Sequence, residues 1–248
     1  MNEIELNIAR SAKCNTALFT PTIGAKVTNS LPKKGHFCSV MKHTLEVTRT
    51  AHYYHEPSRI PAKGIVIAIH GYAQLASDFI KDFNELTEAG FHVYAPEALS
   101  KFYNRDRKPV ANWMTSQHRE SEIRDYILYL EKVLQQIKKT NENLPVHLIG
   151  FSQGVSTTLR WYASSDLYAA SIHLVAGSIP EELNKTNCKA LASGSYHYYH
   201  GIKDKLVPQQ QADLYLSKLS NIGIRYKSTT FNGRHEIPAE LLLFFNPS

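Results

Sequence analysis

A chain of 248 residues, 43% hydrophobic and 20% charged, has the length and apolar content for one globular domain with a full core. Its 28 Lys and Arg against 22 Asp and Glu give a formal charge of +6, but the bases are scattered rather than striped and no nucleic-acid module is present. The three cysteines, Cys14, Cys38 and Cys188, form no C-x-x-C pair and argue against a disulfide framework.

The start, Met1-Asn2-Glu3-Ile4-Glu5, is acidic where a secretory signal is basic, and no apolar run is long enough to span a bilayer. A cytoplasmic protein without stable membrane insertion is therefore expected. Residues 1–43, punctuated by Pro21, Gly24, Pro32 and Gly35, read as an N-terminal leader, with 44–248 as the domain proper. Leu45-Glu46-Val47-Thr48-Arg49-Thr50 alternates apolar and polar and predicts a half-exposed strand. After a turn at Glu56 to Pro61, the continuous apolar run Gly64 to Ile69 predicts a strand covered on both faces. It leads into His70-Gly71-Tyr72-Ala73-Gln74. Ser77-Asp78 are set to cap a helix over Phe79 to Ala89, stopped by Gly90.

Phe91 to Pro96 reads as the next strand, and Glu97 to Pro109 as a long polar loop holding Lys101, Arg105, Arg107 and Lys108. Ile123, Ile127, Leu130, Leu134 and Ile137 lie on one stripe of the longest helix, Arg119 to Lys139. A strand from Val146, a helix through Tyr162, strands over Ala169 to Ala176 and Ser195 to His200, a helix over Pro208 to Leu219, a strand over Ile224 to Thr229 and a helix over Glu236 to Phe245 complete the chain. Strands alternating with helices predict a mostly parallel central sheet with helices on both faces, a three-layer α/β sandwich. Ligands of such sheets sit at the carboxyl ends of the strands.

The chemistry centres on Val146 to Gly154, where an apolar run ends in Gly150-Phe151-Ser152-Gln153-Gly154. This is G-x-S-x-G in the setting it requires, strand before and helix after. Small neighbours two residues away let the chain fold back sharply, lifting the Ser152 hydroxyl clear of the sheet. A serine needs a base, usually an oriented histidine, and in the chain order associated with this turn the acid and then the histidine follow. His200-Gly201-Ile202-Lys203-Asp204 places Asp204 just after one strand, and Asn232-Gly233-Arg234-His235 places His235 just after the last. Both fall on the edge that carries Ser152. Asp166, close behind the serine helix, and Asp213, inside a helix, are the weaker alternatives.

The oxyanion of acyl transfer needs two backbone donors: the Gln153 N–H, and one from the loop after an early strand, for which Tyr72 N–H is the candidate. His70 is expected to pack and hydrogen-bond beneath the site. His52-x-x-His55 and His197-x-x-His200 have suggestive spacing, but strand residues three apart face opposite sides, so no metal and no cofactor is indicated.

Taken together, Gly-Phe-Ser-Gln-Gly at 150–154, His-Gly at 70–71, His-Gly-x-x-Asp-x-x-Val-Pro at 200–208 and Gly-x-His-Glu-Ile at 233–237 resemble the carboxylesterase/acyl-protein thioesterase (phospholipase/carboxylesterase) family of the α/β-hydrolase superfamily. The resemblance runs from about residue 44 to the C-terminus. It implies Ser152 as nucleophile, His235 as base, Asp204 as orienter, the Tyr72 and Gln153 amides as oxyanion hole, and a small-molecule ester or thioester as substrate. The chain departs from the family at Tyr72-Ala73-Gln74, where Leu-Gly-Asp is usual. Asn112-Trp113-Met114 resembles a pocket-wall segment, with His70, Trp113 and Met114 as candidate wall residues; a core tryptophan is the competing reading. The short insertions between strands leave no room for a large lid domain. The expected activity is a serine esterase, with a thioesterase acting on lipidated protein or lysophospholipid, a peptidase, and a catalytically silent binding protein as alternatives. No signal of oligomeric state is present.

Overall fold

The computed structural model describes residues 40–184 and 194–246. The chain divides into two units, Met1–Val47 and Thr48–Ser248. Of the first, residues 40–47 are described, and they are exposed and without regular structure. Most of the predicted leader, and all three cysteines, lie outside the described residues.

The second unit holds strands β1 (Tyr53–Glu56), β2 (Gly64–Ile69), β3 (Phe91–Pro96), β4 (Ser100–Tyr103), β5 (Pro109–Asn112), β6 (Val146–Phe151), β7 (Ala169–Val175), β8 (Tyr196–Gly201) and β9 (Tyr226–Phe231). The helices are α1 (Ala76–Phe79), α2 (Asn84–Glu88), α3 (Arg119–Lys138), α4 (Gln153–Ser164), α5 (Gln209–Asn221) and α6 (Ala239–Phe245). Seven strands make one sheet in the order β1-β3-β2-β6-β7-β8-β9. Within it only β1 runs antiparallel to its neighbour.

Successive strand side chains point to opposite faces, so β2 serves two cores at once. Ile65, Ile67 and Ile69 face the buried sides of α3, α4 and α5. Val66 and Ala68 face a second core built from α1, α2 and α6 through Phe79, Leu86, Leu241 and Phe245. That double burial is why β2 is an unbroken apolar run. Among the described residues no helix is long and apolar enough to cross a membrane.

Histidines line part of the α6 face. His147 Nδ1 and His173 Nε2 each lie 2.7 Å from the Ser171 hydroxyl, and His173 Nδ1 lies 3.1 Å from Tyr199 Oη. The His173 and His197 rings stack at 4.9 Å, with Phe244 packed against both. Burial pushes His147 down to about 4 and His173 well below the usual histidine range, the neighbouring histidines adding to the effect on His173.

Four expectations need correction. Leu45 to Thr50 is not a strand: Leu45 and Val47 are exposed, and strand propensity without a pairing edge is insufficient. The first strand is Tyr53–Glu56, paired with β3. Glu97 to Pro109 is not a plain loop, because β4 and β5 form an antiparallel hairpin within and just beyond it. The helix expected over 79–89 is two short α-helical pieces joined by a 3-10 turn, Ile80–Phe83; its N-cap is Leu75, with no side-chain cap bond, and Asp78 instead pairs with Lys81. The last helix begins at Ala239, after Pro238 rather than at Glu236.

Candidate active site

Ser152 stands between β6 and α4 at φ 54 and ψ −116, a conformation that L-residues rarely adopt. The surroundings fix it there. Its N–H donates to Val175 O at 2.9 Å, and its own carbonyl accepts from Val155 N at 3.1 Å. The flanking glycines let α4 approach the sheet: a Cβ on Gly154 would lie 2.1 Å from Ile69 O, and one on Gly150 2.7 Å from Thr158 Oγ1. The Gln153 amide, first in α4, has no carbonyl within its own helix to pair with and sits at the positive end of the helix.

The loops after β8 and β9 are joined to each other. Ile202 N donates to Phe231 O at 3.0 Å and Lys203 N to Gly233 O at 2.9 Å. Between them the fully buried Asp204 carboxylate meets His235: Nδ1 donates to Oδ2 at 2.7 Å, while Oδ1 accepts from Leu206 N at 2.8 Å and Val207 N at 2.9 Å. A carboxylate so held can orient an imidazole without drifting from it. The His235 ring packs against Phe151, the residue before Ser152, with centroids 4.8 Å apart. Among the described residues neither Asp166 nor Asp213 has a histidine partner of this kind; Asp213 accepts from Gln209 on the surface of α5.

The third contribution comes from the loop after β2. A Cβ on Gly71 would lie only 3.1 Å from Ser152 Cβ, so this loop runs directly beside the serine. His70 is beneath it and fully buried. Its Nδ1–H donates to Gly71 O at 2.7 Å and its Nε2 accepts from Ala98 N at 3.1 Å, which assigns the neutral tautomer. Burial lowers it to about 4. Trp113 is also interior: its Nε1–H donates to His70 O at 2.9 Å and its ring lies 5.1 Å from the His70 ring. Met114 is half-buried and contacts Arg160 through its sulfur.

The domain that Ser152, Asp204 and His235 share also matches known proteins. The family model for Phospholipase/Carboxylesterase matches residues 54–245. The chain belongs to the phospholipase/carboxylesterase family. The family's α/β-hydrolase fold is the one described above, a mostly parallel sheet between helical layers without a large lid domain. No curated protein matches this family member in sequence. Among solved structures it is similar to esterase PE8, with a TM-score of 0.62 at 19% identity over 80% of this chain and 99% of that one. It is similar also to Zea mays acyl-protein thioesterase 2, TM-score 0.64 at 12% identity over 80% and 99% of the two chains. A thermostable carboxyl esterase from Bacillus coagulans gives 0.62 at 12% identity over 79% and 94%. At such identities the likeness is one of fold.

Two polar residues of this family member carry geometry that sequence reading missed. Gln74 accepts the Gly71 N–H at 2.7 Å through Oε1. Asn112, buried at the end of β5, accepts through Oδ1 from Gln153 Nε2 at 2.7 Å and Met114 N at 3.3 Å. Neither stands in a periodic pattern, and the Asn112–Gln153 partnership spans segments far apart in the chain. Further along α4, Ser156 opens onto a groove of about 800 Å³ that reaches Ile179, Leu214 and Tyr215. Glu182 on its wall takes both Arg119 and Arg160. Burial works against its charge, yet the hydrogen bonds from Arg160 and Arg119 hold it down at about 2.

Proposed function

We propose that this family member is a serine hydrolase of carboxylic esters, with Ser152 as nucleophile, His235 as general base and Asp204 as the group that orients it. The observation that carries the reading is the 2.7 Å Asp204–His235 bond, at the same sheet edge as the strained Ser152. With Nδ1–H engaged by the carboxylate, Nε2 is the nitrogen that takes the Ser152 proton as the hydroxyl attacks the acyl carbonyl. The Gln153 and Tyr72 amides receive the oxyanion, each worth about 2.7–4 kcal/mol when lost. The imidazolium returns its proton to the leaving alcohol. Water activated by the same ring then hydrolyses the acyl-enzyme.

Labelling by a fluorophosphonate tests the reading. The expected result is one modified serine, with labelling abolished in Ser152→Ala; persistent labelling of that variant would overturn it. A thioester reading differs only in the leaving group and is supported by exposed apolar side chains on two loops of the site, Tyr72 next to Gly71 and Leu206 two residues from Asp204, and by the similarity to a plant acyl-protein thioesterase. Side-by-side turnover of matched oxyester, thioester and amide substrates separates the two and excludes or admits the peptidase.

A further inference from the structure

An oxyanion hole works only if both donors point at one oxygen, at about 2.7–3.1 Å. Here the two donors belong to segments that are distant in sequence and follow different strands, Tyr72 in the loop after β2 and Gln153 at the start of α4 after β6. Strand β5 is what connects them. On one side Ala111 O accepts the Ala73 N–H at 2.9 Å, and Ala111 N donates to Gln74 O at 3.0 Å. Gln74 Oε1 in turn occupies the Gly71 N–H. Tyr72 therefore lies between two pinned amides. On the other side the Gln153 side chain is held three times, by Asn112, which ends β5, and by the two residues that follow it. Its Nε2 donates to Asn112 Oδ1 at 2.7 Å and Met114 O at 3.0 Å, and its Oε1 accepts from Trp113 N at 3.2 Å.

We propose that Asn112 is a positioning residue which, with Gln74, fixes both oxyanion donors to a single strand and so makes the hole one rigid unit. The proposal rests on the reading of the Tyr72 and Gln153 amides given above. Asn112 touches no reacting atom and acts through Gln153. At 5% exposure, its bonds meet little competition from water, as a positioning role requires. A neutral amide oxygen accepts twice there without placing negative charge beside the developing oxyanion, which an aspartate would do.

The test compares an ester with the matching thionoester, whose carbonyl sulfur is a weak acceptor and gains little from the hole. In Asn112→Ala, kcat on the oxoester falls about tenfold, a fraction of the 10²–10³ lost when a donor is removed outright. KM moves less than about twofold and the thionoester rate changes little, so the oxo/thiono preference drops about tenfold. A merely structural asparagine would lower both rates together or neither, and an unchanged preference overturns the proposal. Should Asn112→Ala fail to fold, Gln74→Met on the half-buried loop carries the same comparison through the other donor. A wild-type chain without a fluorophosphonate-reactive Ser152 overturns the functional reading and this proposal together. An active, labelled chain with unchanged preference in the variants overturns this proposal alone.

Discussion

His235 and His173 are both histidines with an oxygen at hydrogen-bonding distance from Nδ1, yet they sit in opposite electrostatic settings. His235 stands on a loop at the carboxyl edge of the sheet, partly open, against the Asp204 carboxylate. His173 stands mid-strand, fully buried under α6, against hydroxyls of Tyr199 and Ser171 and the ring of His197. A carboxylate favours the imidazolium that forms when a serine proton is taken; hydroxyls are equally content with the neutral ring. The partner's charge and the distance from the rim, not the residue type, separate the histidine proposed to react from the one that packs.

The largest break in that contrast is Asp204→Asn. Asparagine still accepts the Leu206 and Val207 amides, but the ring loses its anion and its tautomer is no longer enforced. We expect kcat on nitrophenyl esters to fall by about 10⁴ with a thermal midpoint close to that of the parent; near-full activity would remove Asp204 from the proposed triad. Acid provides the next largest effect. His70 and His147 are lowered by burial to about 4, and His173 is held well below the usual histidine range, against about 6.5 in an unfolded chain. As pH falls from about 6.5 towards 4 the unfolded state takes up protons that the folded state refuses, so stability falls with pH. The fully buried His70 contributes up to about 3 kcal/mol, the partly open His147 less, and His173 acts in the same direction. Urea midpoints measured from pH 7 to 4.5 should decline steadily; a flat profile would contradict the buried neutral assignment. The smallest effect is Ser171→Ala, which strips a shared hydroxyl from His147 and His173. It should cost about 1–3 kcal/mol in urea unfolding and leave esterase turnover at neutral pH unchanged, the mirror image of Asp204→Asn.

Much of this architecture was legible because the strongest signals are local. The fully apolar β2, the long stripe of α3 and the strand-turn-helix around Ser152 follow from periodicity and sterics within a few residues, and Asp204 and His235 follow from the rule that parallel strands deliver their loops to one edge. The β4–β5 hairpin was hidden. Its turn carries Arg105, Asp106 and Arg107 rather than Asn-Gly, and is closed by the Asn104 side chain accepting the Asp106 and Lys108 amides, a pattern that reads as solvated loop. Leu45 to Thr50 misled for the opposite reason, having alternation but no partner. Asn112 and Gln74 stood in segments singled out for other reasons, but their roles were invisible, because an interior polar residue acquires its meaning from long-range bonds, which leave no trace in spacing.

One last consequence attaches to the backbone at position 152. The turn there demands φ 54 and ψ −116, which glycine occupies at small cost and serine only under constraint. The residue best suited to the bend thus lacks the hydroxyl that the proposed reaction needs. Selection for endurance alone would pull this codon towards glycine, and a lineage excused from turnover would drift into a sturdier but mute protein.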